Sequence, residues 1–155
     1  MVWALLFLHR LYPHRLTGVL SYRILDHTAD TGIEASADSL ASLIDQLATG
    51  MFALMAPVEP CPEETTVEVE VAAPTLEDLI VDVLSELLYE AEINDLILCG
   101  FHTTLLGPTR ARVKTGAVAT SDVDLAGPPI KAVTYHDLTV SNTDGSWFGR
   151  VYFDV

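Results

Sequence analysis

The chain has 155 residues, with 22 acidic against 8 basic side chains and a formal net charge of −14. That length suits one domain of about 100–200 residues, and a chain with half its residues apolar is rich enough in core-formers to fold. A charge this negative repels phosphates, which argues against autonomous nucleic-acid binding and points to cations or basic protein surfaces as partners.

Residues 1–20 read MVWALLFLHRLYPHRLTGVL. Their apolar run is far too short to cross a bilayer, which takes about 20 residues. It is also a poor signal peptide, because Arg10 and Arg15 follow the apolar run instead of preceding it. Either translation begins near Val19 or the segment is a dispensable extension. Both readings leave one domain over residues 21–155 and no membrane association. Cys61 and Cys99 stand far apart, with no CxxC pair and no Cys/His cluster. Neither a disulfide framework nor a zinc site is expected, and two isolated thiols fit a reducing cytoplasm.

From residue 21 the pattern is regular. Segments 22–25 and 33–37 read as short strands around the polar turn Asp26-His27-Thr28-Ala29-Asp30-Thr31-Gly32. Ser39 is a helix N-cap, and Leu40, Leu43, Ile44, Leu47, Met51, Phe52 and Met55 then recur at helical spacing until Pro57. TVEVEV at 66–71 alternates Val67, Val69 and Val71 with Glu68 and Glu70, a half-buried strand with a solvated acidic face. Thr75 and Asp78 form a capping box that opens a second helix, whose stripe runs through Leu76, Leu79, Ile80, Val83, Leu84, Leu87 and Leu88. Asp82 and Glu86 lie off that stripe and read as a solvated face. Segments 95–104 and 110–118 are strand-like, 119–129 is a loop broken by Gly127-Pro128-Pro129, and 131–140 and 147–155 are strands around a turn holding Asp144-Gly145. Runs of consecutive strands with two amphipathic helices predict an α+β domain with largely antiparallel pairing.

The last hairpin carries a geometric expectation. If Val140 pairs near Trp147, Asp154 and Val155 fall opposite Ala132 and Val133, and Lys131 sits beside the chain end. An α-carboxylate held there beside Asp154 wants a cation: either Lys131 or a hard metal such as Ca²⁺ or Mg²⁺. The polar turn at 26–32 offers two further carboxylates and one imidazole. His27 and His136 are lone histidines. There is no Ser-His-Asp order, no HExxH and no P-loop, so no self-sufficient active site is in view.

DHTADTGI at 26–33, SELLYE at 85–90, KAVTYHDL at 131–138 and VYFDV at 151–155 together resemble the archease family, over about residues 21–155. The resemblance implies a small acidic protein cofactor, not an enzyme, of an RtcB-type RNA ligase that joins 3′-phosphate and 5′-hydroxyl ends in tRNA splicing and RNA repair. Such a protein promotes guanylylation of the ligase and its multiple turnover, in the cytoplasm. It also implies a divalent cation, Ca²⁺ or Mg²⁺, on Asp30, Asp154 and Val155, with Lys131 beside it. Asp26, His27 and His136 stand in the same motifs and count as partner-facing. The loop 119–129 departs from the family pattern, keeping only Asp122 and Asp124 of its usual charges. A chaperone or protein-binding module with a structural metal site is the alternative. A metal-dependent hydrolase is disfavoured by the lack of a base–nucleophile pair.

Overall fold

The computed structural model describes residues 21–26 and 30–155, with the side chains of Ser21 and Asp26 outside that description. The extension 1–20 and His27 lie outside the described residues. The elements run β1 (Ser21–Asp26), β2 (Thr31–Ala37), α1 (Leu40–Met55), β3 (Thr66–Ala72), α2 (Leu76–Ile93), β4 (Leu96–Gly107), β5 (Arg110–Ala119), a 3₁₀ turn (Thr120–Asp122), β6 (Ala132–Val133), β7 (Thr139–Thr143) and β8 (Ser146–Asp154).

Two antiparallel sheets form. In the five-stranded sheet β8 is central: β2 pairs along one side of it, β6 and β7 pair in succession along the other, and β1 lies outside β2. The three-stranded sheet has the order β3-β5-β4. The architecture is α+β, as the order of the sequence patterns predicts.

Both helices begin where their caps lie. The Ser42 amide donates to Ser39 Oγ at 3.1 Å, and the Asp78 amide donates to Thr75 Oγ1 at 3.1 Å. Each cap satisfies a first-turn N–H that has no partner within the helix. Thr75 Oγ1 also donates to Asp78 Oδ2 at 2.9 Å, so the return bond of the expected box runs between the two side chains.

The two helices are buried differently, and the packing says why. α1 packs on β1, β2 and β8 of one sheet and on β4 of the other. Pressed from both sides, it buries Gln46, Ala48 and Gly50 besides its apolar stripe. A helix buried all round needs few charges. α2 packs on β3, β4 and β5 and reaches β6 and β7, while its Asp82 and Tyr89 face solvent.

Two sequence expectations are corrected. Cys61 and Cys99 are joined in a disulfide, with Cα atoms 5.6 Å apart. The sheets bring together two residues that are 38 positions apart, which spacing arguments do not see. The predicted strand 131–140 is two strands with an excursion between them. Val140 pairs with Gly149, and it is Asn142 that faces Trp147. The acidic face of β3 is solvated as expected, and its carboxylates are also paired: Glu70 meets Arg110 and Arg112, and Glu68 meets Arg112 and Lys114 at 3.4 and 3.6 Å.

Candidate functional site

The end of β8 gathers the chain's polar motifs. On one side, β8 pairs with β2 in the register Thr31–Phe153. Asp30 immediately precedes Thr31, so one more step of the same register sets it across from Asp154. β1 closes this hairpin with Asp26 paired to Thr31. On the other side, Ala132 pairs with Asp154, and the Lys131 amide donates to the Asp154 carbonyl at 2.8 Å. The segments carrying Asp30 and Lys131 therefore flank the segment Asp154–Val155 from opposite sides of one strand. Asp154, Val155 and Lys131 are exposed and Asp30 is half-buried.

The hairpin register predicts the Lys131 side of this arrangement, although the chain reaches it by a different path, and the Asp30 side comes from the β2–β8 pairing. Thr134 still pairs with the Tyr152 carbonyl through both its amide and its hydroxyl, each at 3.0 Å. Pairing resumes at Thr139–Arg150. Residues 135–138 thus span what Val151 alone spans on β8, and three residues are lifted off the sheet. Asp137 turns the chain with φ of 47°, a left-handed conformation that Asp tolerates better than most residues. Tyr135, His136 and Asp137 are consequently exposed.

The excursion is tied down at both ends. Tyr135 Oη donates to Asp78 Oδ1 at 2.7 Å, linking it to the first turn of α2. That bond, with Thr75's, holds the Asp78 carboxyl below its ordinary range. The same bond favours the protonated phenol and pushes Tyr135 up to about 12. His136 lies edge-on to Tyr152, ring centroids 5.6 Å apart, and its Nε2 is 3.6 Å from Asp137. In the sequence, Tyr135 is an unremarked residue of KAVTYHDL and Asp78 only a cap. Their tie is a contact across 57 positions, so no local pattern announces it.

Lys131 is positioned from behind by α1. The Ala126 amide donates to the Met55 carbonyl at 2.7 Å, and the Ile130 amide reaches Met55 Sδ at 3.5 Å. The strap 126–130 is thereby seated on the C-terminal turn of α1, and Lys131 leaves from its end.

Asp30 and Asp154 each bring a carboxylate to this tip. Hard cations such as Ca²⁺ and Mg²⁺ take such donors, whereas zinc favours sulfur and imidazole. Among the described residues no group of three or more His, Cys, Asp or Glu side chains is gathered closely enough to hold a metal by itself. Asp26 sits at the end of β1, beside this tip in sequence and register.

A second carboxylate lies away from the tip. Thr103 Oγ1 donates to Asp45 Oδ1 at 2.6 Å where α1 meets β4. Burial raises the Asp45 carboxyl above its ordinary range, opposed by its bonds with Thr103 and by His102 nearby. No helix among the described residues is long and apolar enough to cross a membrane.

The comparisons with known proteins agree with this architecture. The model of the archease protein family matches residues 22–155. The archease of Methanosarcina mazei is 32% identical over 139 residues, covering 86% of this chain and 95% of its own. The archease of Pyrococcus furiosus is 27% identical over 135 residues, covering 84% and 95%. Two solved structures share the fold. Protein 1598 of Methanobacterium thermoautotrophicum superposes with a TM-score of 0.70 at 22% identity, covering 86% of this chain and 98% of its own. A Thermotoga maritima archease, described as a possible chaperone, superposes with a TM-score of 0.59 at 20% identity, covering 86% and 96%. With the family model spanning the whole described domain, this chain belongs to the archease family.

Proposed function

We propose that this chain is a protein cofactor of an RtcB-type RNA ligase, acting in the cytoplasm in tRNA splicing and RNA repair. It promotes guanylylation and multiple turnover of the ligase and does not itself perform ligation. The observation that carries this reading is the arrangement at the end of β8, where Asp30 and Lys131 flank Asp154 and Val155 from opposite sides. Asp30, Asp154 and the Val155 α-carboxylate would hold a divalent cation, Ca²⁺ or Mg²⁺. Such a cation supplies a hard positive centre for phosphate or carboxylate oxygens of a partner.

The chain's own residues shape the tip. Pairing with β2 and β6 holds the backbone at the end of β8, which lowers the ordering that docking would cost. Lys131 adds a cation at the rim of an otherwise acidic end, which suits a surface that meets both phosphate and basic groups. Asp26, His27 and His136 are assigned to the partner-facing surface, as residues of the same motifs. The positioning is electrostatic and needs no general base on this chain. The net charge of −14 steers the molecule toward a basic protein surface and away from RNA itself.

The test uses a ligase of this type from the same source, with guanylylation of the ligase as the readout. The unaltered chain is expected to accelerate it. Asp154→Ala, or a few residues appended after Val155, is expected to abolish the acceleration and to lose cation binding by calorimetry, with circular dichroism unchanged. Full acceleration by both altered chains would remove the site from this reading. A second reading, a chaperone, is favoured by the description of the Thermotoga relative. Suppression of aggregation of unrelated unfolded proteins, without any effect on the ligase, would select it.

A further inference from the structure

The Cys61–Cys99 bridge lies on the three-stranded sheet, and the proposed function makes no use of it. Cys61 sits on the connector 56–65 between α1 and β3, and Cys99 sits on β4. The connector is seated closely on the sheet. A Cβ placed on Gly116 of β5 would stand 2.6 Å from Cys61 Sγ and 2.7 Å from the Pro62 carbonyl oxygen. A Cβ on Gly100 of β4 would stand 3.2 Å from the same sulfur, and Gly100 itself has φ of +63°. Both strands thus lack a side chain where Cys61 rests. The register of β4 shifts between Cys99 and His102 at this point. The Ala117 amide reaches the Thr65 carbonyl at 3.0 Å, closing the connector's far end.

The two cysteines differ in exposure. Cys99 is 6% exposed, whereas Cys61 is half-buried. An open groove of about 590 Å³ runs beside the bridge, lined by Cys61, Gly100, His102, Lys114 and Gly116 among others. Lys114 brings a positive charge to the groove, shared with Glu68 at 3.6 Å, and Glu63 also lines it. A cation beside a sulfur favours the thiolate that exchange requires. Bridges in reducing compartments are as a rule transient or redox-sensing, and the compartment proposed above is one of these.

The geometry points to a reversible thiol–disulfide exchange site that takes a dithiol reductant through this groove and makes the connector a releasable clasp. A reductant thiolate attacks Sγ of Cys61, the cysteine that lines the groove, and forms a mixed disulfide. Cys99 leaves as thiolate and takes a proton from solvent. The second thiol of the reductant, as thiolate, attacks the mixed disulfide, so that Cys61 departs and is protonated. The reductant ends as a disulfide, having delivered two electrons and two protons. Reduction frees the connector from β4 while the two sheets and both helices keep their backbone pairing.

The experiment equilibrates the full chain in native buffer with reduced and oxidised dithiothreitol at varied ratios, then alkylates and counts free thiols by mass spectrometry. A single reversible transition between zero and two free thiols is expected. On reduction, amide exchange should rise by tenfold or more within 57–65 and at Ala117, whose amide is held by Thr65, and stay unchanged in α1 and the rest of β5. The paired variants Cys99→Ser and Cys61→Ser separate the two sulfurs: with an aromatic disulfide reagent, Cys61 in the first should react at least tenfold faster than Cys99 in the second. A bridge that opens only in denaturant overturns the proposal. So do two free thiols under fully oxidising conditions, exchange that rises throughout the core, or equal reactivity of the two single thiols.

Discussion

Asp78 and Tyr135 share one hydrogen bond and are moved in opposite directions by it, downward for the acid and up to about 12 for the phenol. The signs follow from linkage. A carboxyl held below its unfolded value stabilises the fold above that value and loses the contribution as pH falls through the folded one. A phenol held above its unfolded value stabilises below that value and loses the contribution as pH rises toward 12. Tyr135→Phe removes both effects. The expected outcome is an Asp78 titration shifted upward toward the ordinary aspartate range, followed by carboxyl-carbon NMR, and a shallower loss of stability at both pH extremes. An unchanged Asp78 titration would show that Thr75 alone sets it. The candidate carboxylates at the end of β8 were legible for a different reason. Register within the last hairpin brings Lys131 beside Asp154, whereas Asp30 joins them in the sequence only through the family resemblance, because no local pattern pairs β2 with β8. Tyr135 was not legible, because its partner is reached only after α2 has docked.

Among the elements, those with local signals matched their sequence readings. Ser39 and Thr75 start their helices, and Asp144-Gly145 turns β7 into β8 with φ of 51° and 82°, as a two-residue loop of mirror-image type requires. The broken strand 131–140 did not, since its apolar content is compatible with continuous pairing and only the tie to α2 lifts 135–137 away. The strap 126–130 is likewise set by tertiary contact. A Cβ on Gly127 would stand 2.5 Å from the Leu54 carbonyl oxygen, a backbone atom that cannot rotate away. Gly127→Ala is therefore expected to cost about 1–3 kcal/mol in a urea titration, as overpacking does. It should also speed amide exchange at 126 and 130, whose bonds to Met55 it disturbs. A variant as stable as the parent, with unchanged exchange, would show that the strap slides freely.

On the scale of the molecule, two constraints oppose each other. The net charge of −14 makes the compact state repel itself, and the exposed ladder of Glu68 and Glu70 with Arg110, Arg112 and Lys114 returns little, because solvent screens such pairs. Added sodium chloride is expected to raise the melting temperature as repulsion is screened over a Debye length of about 10 Å at 0.1 M. A fall would mean that the ladder outweighs the repulsion. Against that repulsion stands the bridge, which closes a loop with a sequence separation of 38. Replacing both cysteines by serine is expected to cost about 2–4 kcal/mol by guanidinium unfolding, mainly through the freer unfolded chain. The bridge escaped sequence reading because lone cysteines reveal their partner only once α1 and the connector have laid 61 beside β4.

The excursion at 135–137 has a consequence for how copies of this chain behave in a crowded solution. β6 and β7 form the outer rim of the five-stranded sheet. A long, flat rim is a template on which a second chain adds a strand, and such templates seed fibres. Here the rim offers two residues in β6, then a lifted segment, then five residues in β7. An incoming strand finds no continuous ladder to copy. The kink that presents Tyr135 and His136 to solvent therefore also keeps neighbouring copies from zipping together along the rim, so that this end of the molecule stays free for a partner of another kind.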